Sequence, residues 1–384
     1  MDTIALDKQY IANTYARQEV VFTKGSQSTL YDDKGKEYID FGSGIAVTGL
    51  GQGNHKWLDA VIGQLSTLAH TSNLYHNEPS VRLAKTLIER TDFSKVFFCN
   101  SGAEANECAI KTARKYANDK GFVDKYEIIT LQKSFHGRTI ATLSATGQDS
   151  SHKYFAPFCE GFVYADAQNF DDIEKKVSDK TCAIMLELIQ GEGGVIPLDK
   201  QYVKNVAKLC KEKDILLIVD EVQTGNGRTG TLYAYMQYGV LPDILTTAKG
   251  LGNGLPIGCT MFNEKTQNVL KYGDHGSTFG ANPVVCAGAV ATLEQIDGNL
   301  LKEVMLKSEM IKNALKDCSK IKSITGMGLM IGIEVDNAKE IVGTCLNKGL
   351  VVLTAKDKLR LLPALNISYE ELNKGLKILS EVLK

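Results

Sequence analysis

The chain has 384 residues, of which 43% are hydrophobic and 23% charged, and its formal net charge at pH 7 is −1. This length predicts one large domain with a smaller one, and the balanced charge argues against a nucleic-acid or membrane-surface partner, since both need a basic footprint. The apolar runs are too short to span a bilayer, and residues 1–10 do not read as a signal peptide. Nine cysteines without a C-x-x-C pair predict reduced thiols in a cytoplasmic protein, and the six histidines lack metal-ligand spacing, so we expect no metal site.

The predicted elements begin with a hairpin and continue as an α/β core. Residues 29–33 and 36–41 are typical of two strands around a turn at Gly35. Seven β-branched or apolar runs follow, with helical stretches such as 104–117 and 202–211 between them. The predicted strands are 96–99, 127–131, 161–164, 182–188, 215–220, 243–246 and 257–262. Because several are apolar on both faces, they indicate a mostly parallel sheet covered by helices.

The C-terminal part has a different pattern. An amphipathic helix is predicted over 301–315, short strands near 331–335 and 350–353, and a last helix whose Ser368 and Glu371 have capping-box spacing. We therefore expect residues 1–60 to be an N-terminal segment that joins a small domain, 61–289 to be the large domain, and 290–384 to be the small α+β domain.

Two of four loops, each expected at the end of a predicted strand, carry groups that suit a charged ligand. Small residues at Ser101, Gly102 and Ala103 precede a helix, where backbone N–H groups can approach a phosphate closely. A plain helix cap, with Glu104 at the third position, is the alternative. Asp220 ends a very apolar strand, so its carboxylate either faces a cationic ligand or serves as a cap or salt bridge.

The other two loops carry an amine and two hydroxyls. Lys249 lies between a strand and a glycine-rich turn, where a partly desolvated amine can form a Schiff base; a surface lysine in a flexible turn is the alternative. Ser277 and Thr278 stand beside glycines, which suits a phosphate but is also common in turns. Because such loops meet at one rim of the sheet, their order favours a single cofactor site over four unrelated turns.

These four loops, together with segments 41–47, 70–75 and 134–138, resemble the class-III aminotransferases, which have the fold-type-I architecture. The resemblance covers nearly the whole chain, and its most specific part is 218–230 followed by Lys249. It implies a mostly parallel seven-stranded sheet, a smaller domain, pyridoxal 5′-phosphate (PLP) as cofactor, and a homodimer with shared active sites. Within the family, the chain most resembles members that act on acetylornithine.

The resemblance also implies roles for individual residues. Lys249 would hold PLP covalently and move the proton during amino transfer, while Asp220 would pair with the pyridine nitrogen. The other cofactor contacts would come from Ser101, Gly102 and Ala103 (phosphate), Phe135 (ring stacking), Gln223 (ring hydroxyl side) and Thr278 (phosphate across the dimer interface).

Four further residues are implied in substrate binding. Arg138, with Ser277 nearby, would hold a carboxylate in a bidentate pair. Glu192, in a glycine-rich loop, would mask Arg360 while an ω-amine reacts, and would move away when glutamate or 2-oxoglutarate brings its α-carboxylate. We expect structural roles for three further residues, His136, Glu187 and Trp57.

The expected reaction moves the δ-amino group of N-acetylornithine to 2-oxoglutarate, giving N-acetylglutamate 5-semialdehyde and glutamate, a step of arginine biosynthesis. Ile45 stands where ornithine-specific relatives carry a tyrosine, so an uncharged acylated nitrogen is better tolerated than an ammonium. Ornithine, succinyl-diaminopimelate and 4-aminobutyrate are alternative donors. A non-catalytic PLP-binding protein and, from the G-x-G-x-x-G match at 225–230, a dinucleotide-dependent oxidoreductase are more remote alternatives.

Overall fold

The computed structural model describes residues 2–384. The strands are β1 (Phe22–Ser26), β2 (Thr29–Asp32), β3 (Glu37–Asp40), β4 (Lys95–Cys99), β5 (Glu127–Leu131), β6 (Phe162–Ala165), β7 (Thr181–Leu186), β8 (Ile189–Gln190), β9 (Ile196–Pro197), β10 (Leu216–Asp220), β11 (Ile244–Thr247), β12 (Gly258–Phe262), β13 (Ser323–Met327), β14 (Met330–Glu334), β15 (Leu350–Val351), β16 (Leu353–Ala355) and β17 (Lys358–Leu361).

The helices are α1 (Thr3–Tyr10), α2 (Ser43–Ala46), α3 (His55–Thr67), α4 (Glu78–Glu89), α5 (Gly102–Asp119), α6 (Ile140–Ala145), α7 (Asp149–His152), α8 (Phe170–Lys176), α9 (Lys200–Glu212), α10 (Tyr235–Tyr238), α11 (Pro283–Gln295), α12 (Gly298–Leu315), α13 (Ala338–Asn347) and α14 (Tyr369–Leu383), with a short 3-10 helix at Lys249–Leu251. Within residues 2–384, none of these is both long and apolar enough to cross a membrane.

A seven-stranded sheet forms the centre of the fold, in the order β4-β12-β11-β10-β7-β5-β6. Every pairing is parallel except those of β12, which runs antiparallel to both of its neighbours. All seven predicted strands are present with bounds within two residues of the prediction. The mostly parallel sheet that the sequence predicts is therefore confirmed.

The central strands are buried on both faces, which explains their apolar sequences. Along β10, Leu217 and Val219 pack into one hydrophobic core, while Leu216 and Ile218 pack into a second core on the other face. This alternation is the two-residue period of a strand. The chain is thus held rigidly up to Asp220, the last residue of the strand, which fixes where its carboxylate begins.

The smaller part of the fold combines both ends of the chain. Strands β13, β14, β17 and β16 form one antiparallel sheet, and β15 joins the N-terminal sheet by pairing in parallel with β3, with Leu350 opposite Ile39. This confirms that the N-terminal segment contributes to the smaller domain. The single strand predicted over 350–353 is wrong, because β15 and β16 belong to different sheets.

The domain limits at 60/61 and 289/290 stay a prediction. Helix α11 runs across the second limit, and its Cys286 and Leu293 lie in the same core as Val219 of the central sheet. A division after α11, rather than within it, fits this packing better.

Candidate active site

The loops at the carboxyl ends of the central strands surround a cavity of about 430 Å³. Its lining includes residues 100–103 after β4, 135–138 after β5, Glu187 after β7, Asp220 at the end of β10, and Lys249 after β11. Three of the four loops singled out from the sequence therefore meet at one site, as expected for a parallel sheet.

The first wall is the start of α5, where Ser101 is the N-cap. The Ser101 side chain accepts a hydrogen bond from the N–H of Glu104 at 3.2 Å, so the plain cap considered for this segment is present. The N–H groups of Gly102 and Ala103, the first two helical positions, have no acceptor within a helix and line the cavity. A Cβ at Gly102 would lie 2.7 Å from Cγ1 of Val222, so only glycine permits this packing. The cap and the anion site therefore coexist.

Asp220 is 4% exposed and is held by several donors. Its Oδ2 accepts from Nδ2 of Asn106 at 2.8 Å and from Nδ1 of His136 at 2.9 Å, and its Oδ1 accepts from the N–H of Val222 at 3.0 Å. Oδ1 of Asn106 in turn accepts from Oγ1 of Thr246 at 2.6 Å. The carboxylate is thus fixed at the cavity wall and available to a cation there.

Sequence reasoning missed two members of this network. Asn106 follows the predicted phosphate loop by three residues, but its position one turn inside α5, facing the end of β10, is visible only in three dimensions. His136 was expected to be a satisfied structural residue, yet its buried Nε2 has no hydrogen-bond partner among residues 2–384. Only its Nδ1, on Asp220, is engaged.

Lys249 lies half-buried in the cavity wall with φ of 46°. This left-handed backbone is unfavourable for a residue with a Cβ, and strain of this kind is concentrated at functional sites. Burial lowers the pKa of its ammonium, although the nearby carboxylates of Glu192 and Asp220 act in the opposite direction. A larger share of neutral amine, the form that acts as nucleophile and base, follows from this burial.

Glu187 is a second carboxylate at the same rim. Its Oε2 accepts from the N–H of Phe135 at 2.9 Å, and its Oε1 accepts from the N–H of Gly191 at 3.2 Å. Burial raises the pKa of Glu187 to about 7, with Asp220 adding to this and His136 opposing it. It has the structural partners expected for it, and it also lines the cavity.

Glu192 and Arg360 form an ion pair beside the cavity. Glu192 lies in the turn between β8 and β9, and both of its carboxylate oxygens accept from the guanidinium of Arg360, with Nη2 to Oε2 at 3.3 Å. The Arg360 side chain is 3% exposed and that of Glu192 is 31% exposed. Although burial opposes it, Arg360 lowers the pKa of Glu192 below its ordinary value, so the glutamate is ionised in the pair.

Gln223 links this pair to the cavity. Its Oε1 accepts from Nη1 of Arg360 at 3.1 Å, and its Nε2 lies 3.5 Å from Oε1 of Glu192. Gln223 also lines the cavity, so the role predicted for it toward the ring hydroxyl stays a prediction alongside this second contact.

The remaining predicted site residues lie at the rim or outside the cavity lining. Arg138 is exposed at the rim, with its guanidinium 5.5 Å from the ring centroid of Phe135. Oγ of Ser277 accepts from Nδ2 of Asn100 at 3.2 Å, so Ser277 contacts the phosphate-loop segment of its own chain. Thr278 is exposed on the surface of the chain.

The glycine-rich segment 225–230 does not have the geometry of a dinucleotide site. It forms turns, and the next helix, α10, begins only at Tyr235. Arg228 is buried and donates to the carbonyls of Leu329 at 3.0 Å and Pro363 at 2.6 Å in the smaller domain. Burial lowers the pKa of Arg228 to about 9. Because no helix begins at these glycines, the oxidoreductase alternative is wrong.

The cavity fits PLP on its own chemistry. Two free helix N–H groups suit a phosphate, Asp220 suits a protonated ring nitrogen, and Lys249 supplies an amine in the same cavity. The aromatic ring of Phe135 and the side chain of Val222 provide flat, apolar walls for a ring.

Comparisons with known proteins agree with this geometry. The family model described as "Aminotransferase class-III" matches residues 10–383. The chain belongs to the class-III aminotransferase family. Among curated relatives, an acetylornithine aminotransferase of Haemophilus ducreyi is 50% identical over 98% of this chain and 97% of its own length. Membership in this family confirms the predicted cofactor, PLP, and the predicted aminotransferase activity.

Solved structures of the same family superpose on the whole chain. An ornithine aminotransferase of Toxoplasma gondii, described with PLP at its active site, has a TM-score of 0.94 at 32% identity and covers 99% of this chain and 93% of its own. An N-acetylornithine aminotransferase of Stenotrophomonas maltophilia has a TM-score of 0.86 at 35% identity, with coverage of 99% and 98%. The fold-type-I architecture is therefore confirmed for this class-III aminotransferase.

Proposed function

We propose that this aminotransferase transfers the δ-amino group of N-acetylornithine to 2-oxoglutarate. The donor is oxidised to N-acetylglutamate 5-semialdehyde, and 2-oxoglutarate takes up the amino group to become glutamate. The observation that carries transfer from a donor with one carboxylate to an acceptor with two is a pair of arginines in different states, with Arg138 exposed at the rim and Arg360 paired with Glu192. The 50% identity with an acetylornithine aminotransferase supports the same substrate.

The two arginines match the charges of the two substrates. N-acetylornithine has one carboxylate, which Arg138 binds while Glu192 neutralises Arg360. 2-Oxoglutarate has two carboxylates, so it needs both guanidiniums and must displace Glu192. Because an unpaired buried charge is costly, Arg360 requires one carboxylate or the other at every stage of the reaction.

The acyl group of the donor suits the residue at position 45. Ile45 is 41% exposed in the turn next to Val47, which lines the cavity. Its side chain offers no hydrogen-bond acceptor to an ammonium, whereas an acylated nitrogen carries no charge that needs one. This favours acetylornithine over ornithine, in spite of the close structural match to an ornithine aminotransferase.

The residues of the cavity divide the catalytic work. Bound PLP supplies an aldehyde for the amine and a ring that withdraws electrons from the carbon losing a proton. Asp220, held by Asn106 and His136, would pair with the protonated ring nitrogen. Nζ of Lys249, with its lowered pKa, accepts the proton from the carbon that bears the transferred nitrogen and later returns one.

A donor panel tests the substrate. With 2-oxoglutarate as acceptor, we expect kcat/KM for acetylornithine to exceed the values for ornithine, succinyl-diaminopimelate and 4-aminobutyrate. A higher value for any of the other three would replace the proposed donor. Activity with none of the four would contradict the proposed donor.

Two substitutions test the residue roles. Lys249→Ala should lower kcat by about 10²–10⁴-fold, the usual contribution of a general base. Lys211→Ala, at an exposed position of α9, should leave kcat unchanged. Glu192→Ala should raise kcat/KM for glutamate relative to acetylornithine by about tenfold to a hundredfold, since it unmasks Arg360. Glu212→Ala, an exposed glutamate at the end of α9, is the matched control, and an unchanged ratio in Glu192→Ala would contradict the masking role.

We also propose a homodimer with shared active sites. Thr278 is exposed next to Phe279, which is 61% exposed, and Leu74 and Tyr75 are 85% and 69% exposed. Asn73 ties these two segments into one face by donating to the carbonyl of Gly280 at 2.9 Å. Such an apolar face on a folded chain favours a partner subunit.

The dimer predicts a mass in solution of twice the 41.9 kDa of the chain, measured by light scattering. Thr278→Ala should weaken PLP binding without changing that mass. An active monomer would rule out the shared site.

The nine unpaired cysteines support the expected cytoplasmic location.

A further inference from the structure

Glu187 lies beside Asp220 at the sheet rim, yet the reaction described above gives it no role. Strands β7 and β10 pair in parallel with Leu186 opposite Val219, so the two carboxylates follow at adjacent strand ends. Glu187 is 6% exposed and lines the cavity. Burying a second carboxylate next to the first costs free energy unless hydrogen-bond donors stabilise its charge.

The partners of Glu187 belong to two different functional segments. One is the N–H of Phe135, in the segment that forms the aromatic wall, and the other is the N–H of Gly191, which begins the turn that carries Glu192. The two segments lie directly against each other, because a Cβ at Gly193 would be 2.8 Å from the carbonyl oxygen of Lys133. Glu187 therefore joins the cofactor wall to the turn of the masking glutamate.

An ionised carboxylate satisfies both N–H groups fully. Each of its oxygens accepts one hydrogen bond, at 2.9 Å from Phe135 and 3.2 Å from Gly191. A glutamine of the same shape has a single carbonyl oxygen, and its NH₂ group would face the second N–H. Glu187→Gln therefore keeps the volume and releases one of the two segments.

We propose that Glu187 is a positioning residue that holds the 191–194 turn against the Phe135 segment, and so controls how readily Glu192 releases Arg360. The proposal rests on the masking role of Glu192 given above. With the turn anchored, the Glu192–Arg360 pair is kept closed for the ω-amine donor. With the anchor loosened, the α-carboxylate of glutamate reaches Arg360 more easily, so selectivity between the two half-reactions decreases.

A double-mutant cycle on the holoenzyme tests this coupling. Each half-reaction is followed by the absorbance change of the bound cofactor, with acetylornithine alone or glutamate alone, at about pH 8.5, where Glu187 is ionised. The measured quantity is the ratio of kcat/KM for acetylornithine to that for glutamate. We expect Glu187→Gln to lower the ratio about tenfold in the natural chain and to leave it unchanged in the Glu192→Ala background.

Glu221→Gln is the matched control. Glu221 is also buried next to Asp220 and accepts from two backbone N–H groups, those of Ala234 at 2.8 Å and Tyr235 at 2.7 Å, but these belong neither to the Phe135 segment nor to the 191–194 turn. Its substitution should leave the ratio unchanged. Glu187→Asp, which keeps the charge but is too short to reach both N–H groups, should reproduce the effect of Glu187→Gln if the latter folds poorly.

The outcomes separate the two proposals. An unchanged ratio in Glu192→Ala alone would remove the masking role itself. A changed ratio in Glu192→Ala with no change in Glu187→Gln and Glu187→Asp would overturn the positioning role and leave the masking role intact. An equal fall of both half-reactions in both backgrounds would show that Glu187 acts through the Phe135 wall, which also overturns the proposal.

Discussion

Replacing Asn106 by alanine tests whether the network behind Asp220 supports catalysis. Asn106 is 1% exposed and donates to Oδ2 of Asp220 and to the carbonyl of His136, each at 2.8 Å, while accepting from Thr246 at 2.6 Å. The substitution removes all three hydrogen bonds and leaves the Asp220 carboxylate with one donor fewer. Asn106 also lines the cavity, so the substitution leaves additional space behind Asp220.

The magnitudes follow from the three hydrogen bonds. The bond to the carboxylate contributes about 1.5–3 kcal/mol and each of the two neutral bonds about 0.5–1.5 kcal/mol, so the free energy of unfolding should fall by roughly 2.5–6 kcal/mol. For 384 residues the unfolding entropy is about 0.8 kcal/mol/K, which converts this loss to a Tm decrease of about 3–7 °C. If the hydrogen bond from Asn106 to Asp220 stabilises the transition state by its whole contribution of about 1.5–3 kcal/mol, its loss should lower kcat about tenfold to a hundredfold.

Calorimetry on the holoenzyme gives the Tm of the variant. The assay then measures kcat with saturating acetylornithine and 2-oxoglutarate at a temperature well below that Tm. Asn263→Ala is the control, because Asn263 donates to Asp243 at 3.1 Å and accepts from Thr266 at 3.2 Å after the far end of β12. It should lower Tm with kcat unchanged. An Asn106→Ala enzyme with the natural kcat would refute the role of this residue in holding Asp220.

Two further predictions concern the phosphate loop and a buried carboxyl. Gly102→Ala places a Cβ 2.7 Å from Val222 and should weaken PLP binding about tenfold, as measured by equilibrium titration. Gly298→Ala is the control, because Gly298 has the equivalent first position of α12 with open space around it. Equal PLP affinities of the two variants would contradict the close packing at Gly102. Burial raises the pKa of Glu221 from 4.5 to about 7, against the lowering effect of its hydrogen bonds from Thr224 and two N–H groups, so the folded state holds its proton longer than the unfolded state. The contribution of this carboxyl group to stability is roughly 3 kcal/mol, is complete below about pH 4.5 and is lost as pH rises through about 7. The free energy of unfolding of the apoenzyme in urea should therefore decrease less from about pH 5 to about pH 8 in Glu221→Gln than in the natural chain. Parallel pH profiles of the two proteins would contradict this assignment.

The central sheet could be predicted because its signal is local. The strand that contains Ile218 and Val219 is apolar on both faces, as a parallel sheet covered by helices on both sides requires. The chemistry at the rim was also accessible, since Asp220 and Lys249 each follow a strand and parallel strands end at one edge. The strand order was not needed to place those two residues in one site.

What could not be predicted depends on which strands are neighbours. The contact of Asn106 with Asp220 and the position of Glu187 beside it follow from the β7–β10 register and the packing of α5, neither of which local sequence encodes. Strands β8 and β9, which carry the turn of Glu192, have two residues each and no readable period. The partner of Thr278 lies outside the chain altogether if the proposed dimer is correct.

The distribution of backbone strain indicates which parts of this site are fixed and which move. Left-handed φ values occur at Lys249, at Val195 and through the whole turn from Ser43 to Ala46, including the β-branched Ile45 at 63°. Such conformations cost of order 1–3 kcal/mol each and persist only where the surroundings hold them. Here Asp40 holds the turn through the N–H groups of Gly42 at 2.7 Å and Ser43 at 2.9 Å.

The two members of the ion pair differ in burial, since the side chain of Glu192 is 31% exposed while that of its partner Arg360 is 3% exposed. The charge that stays in place is therefore the buried arginine, and the charge able to leave is the glutamate on the short β8–β9 connection. An enzyme that must accept one carboxylate in one half-reaction and two in the next needs such an asymmetry, because moving the buried member would leave an uncompensated charge inside the protein. The anchoring of that turn, rather than the strength of the ion pair alone, then sets the selectivity between the two substrates.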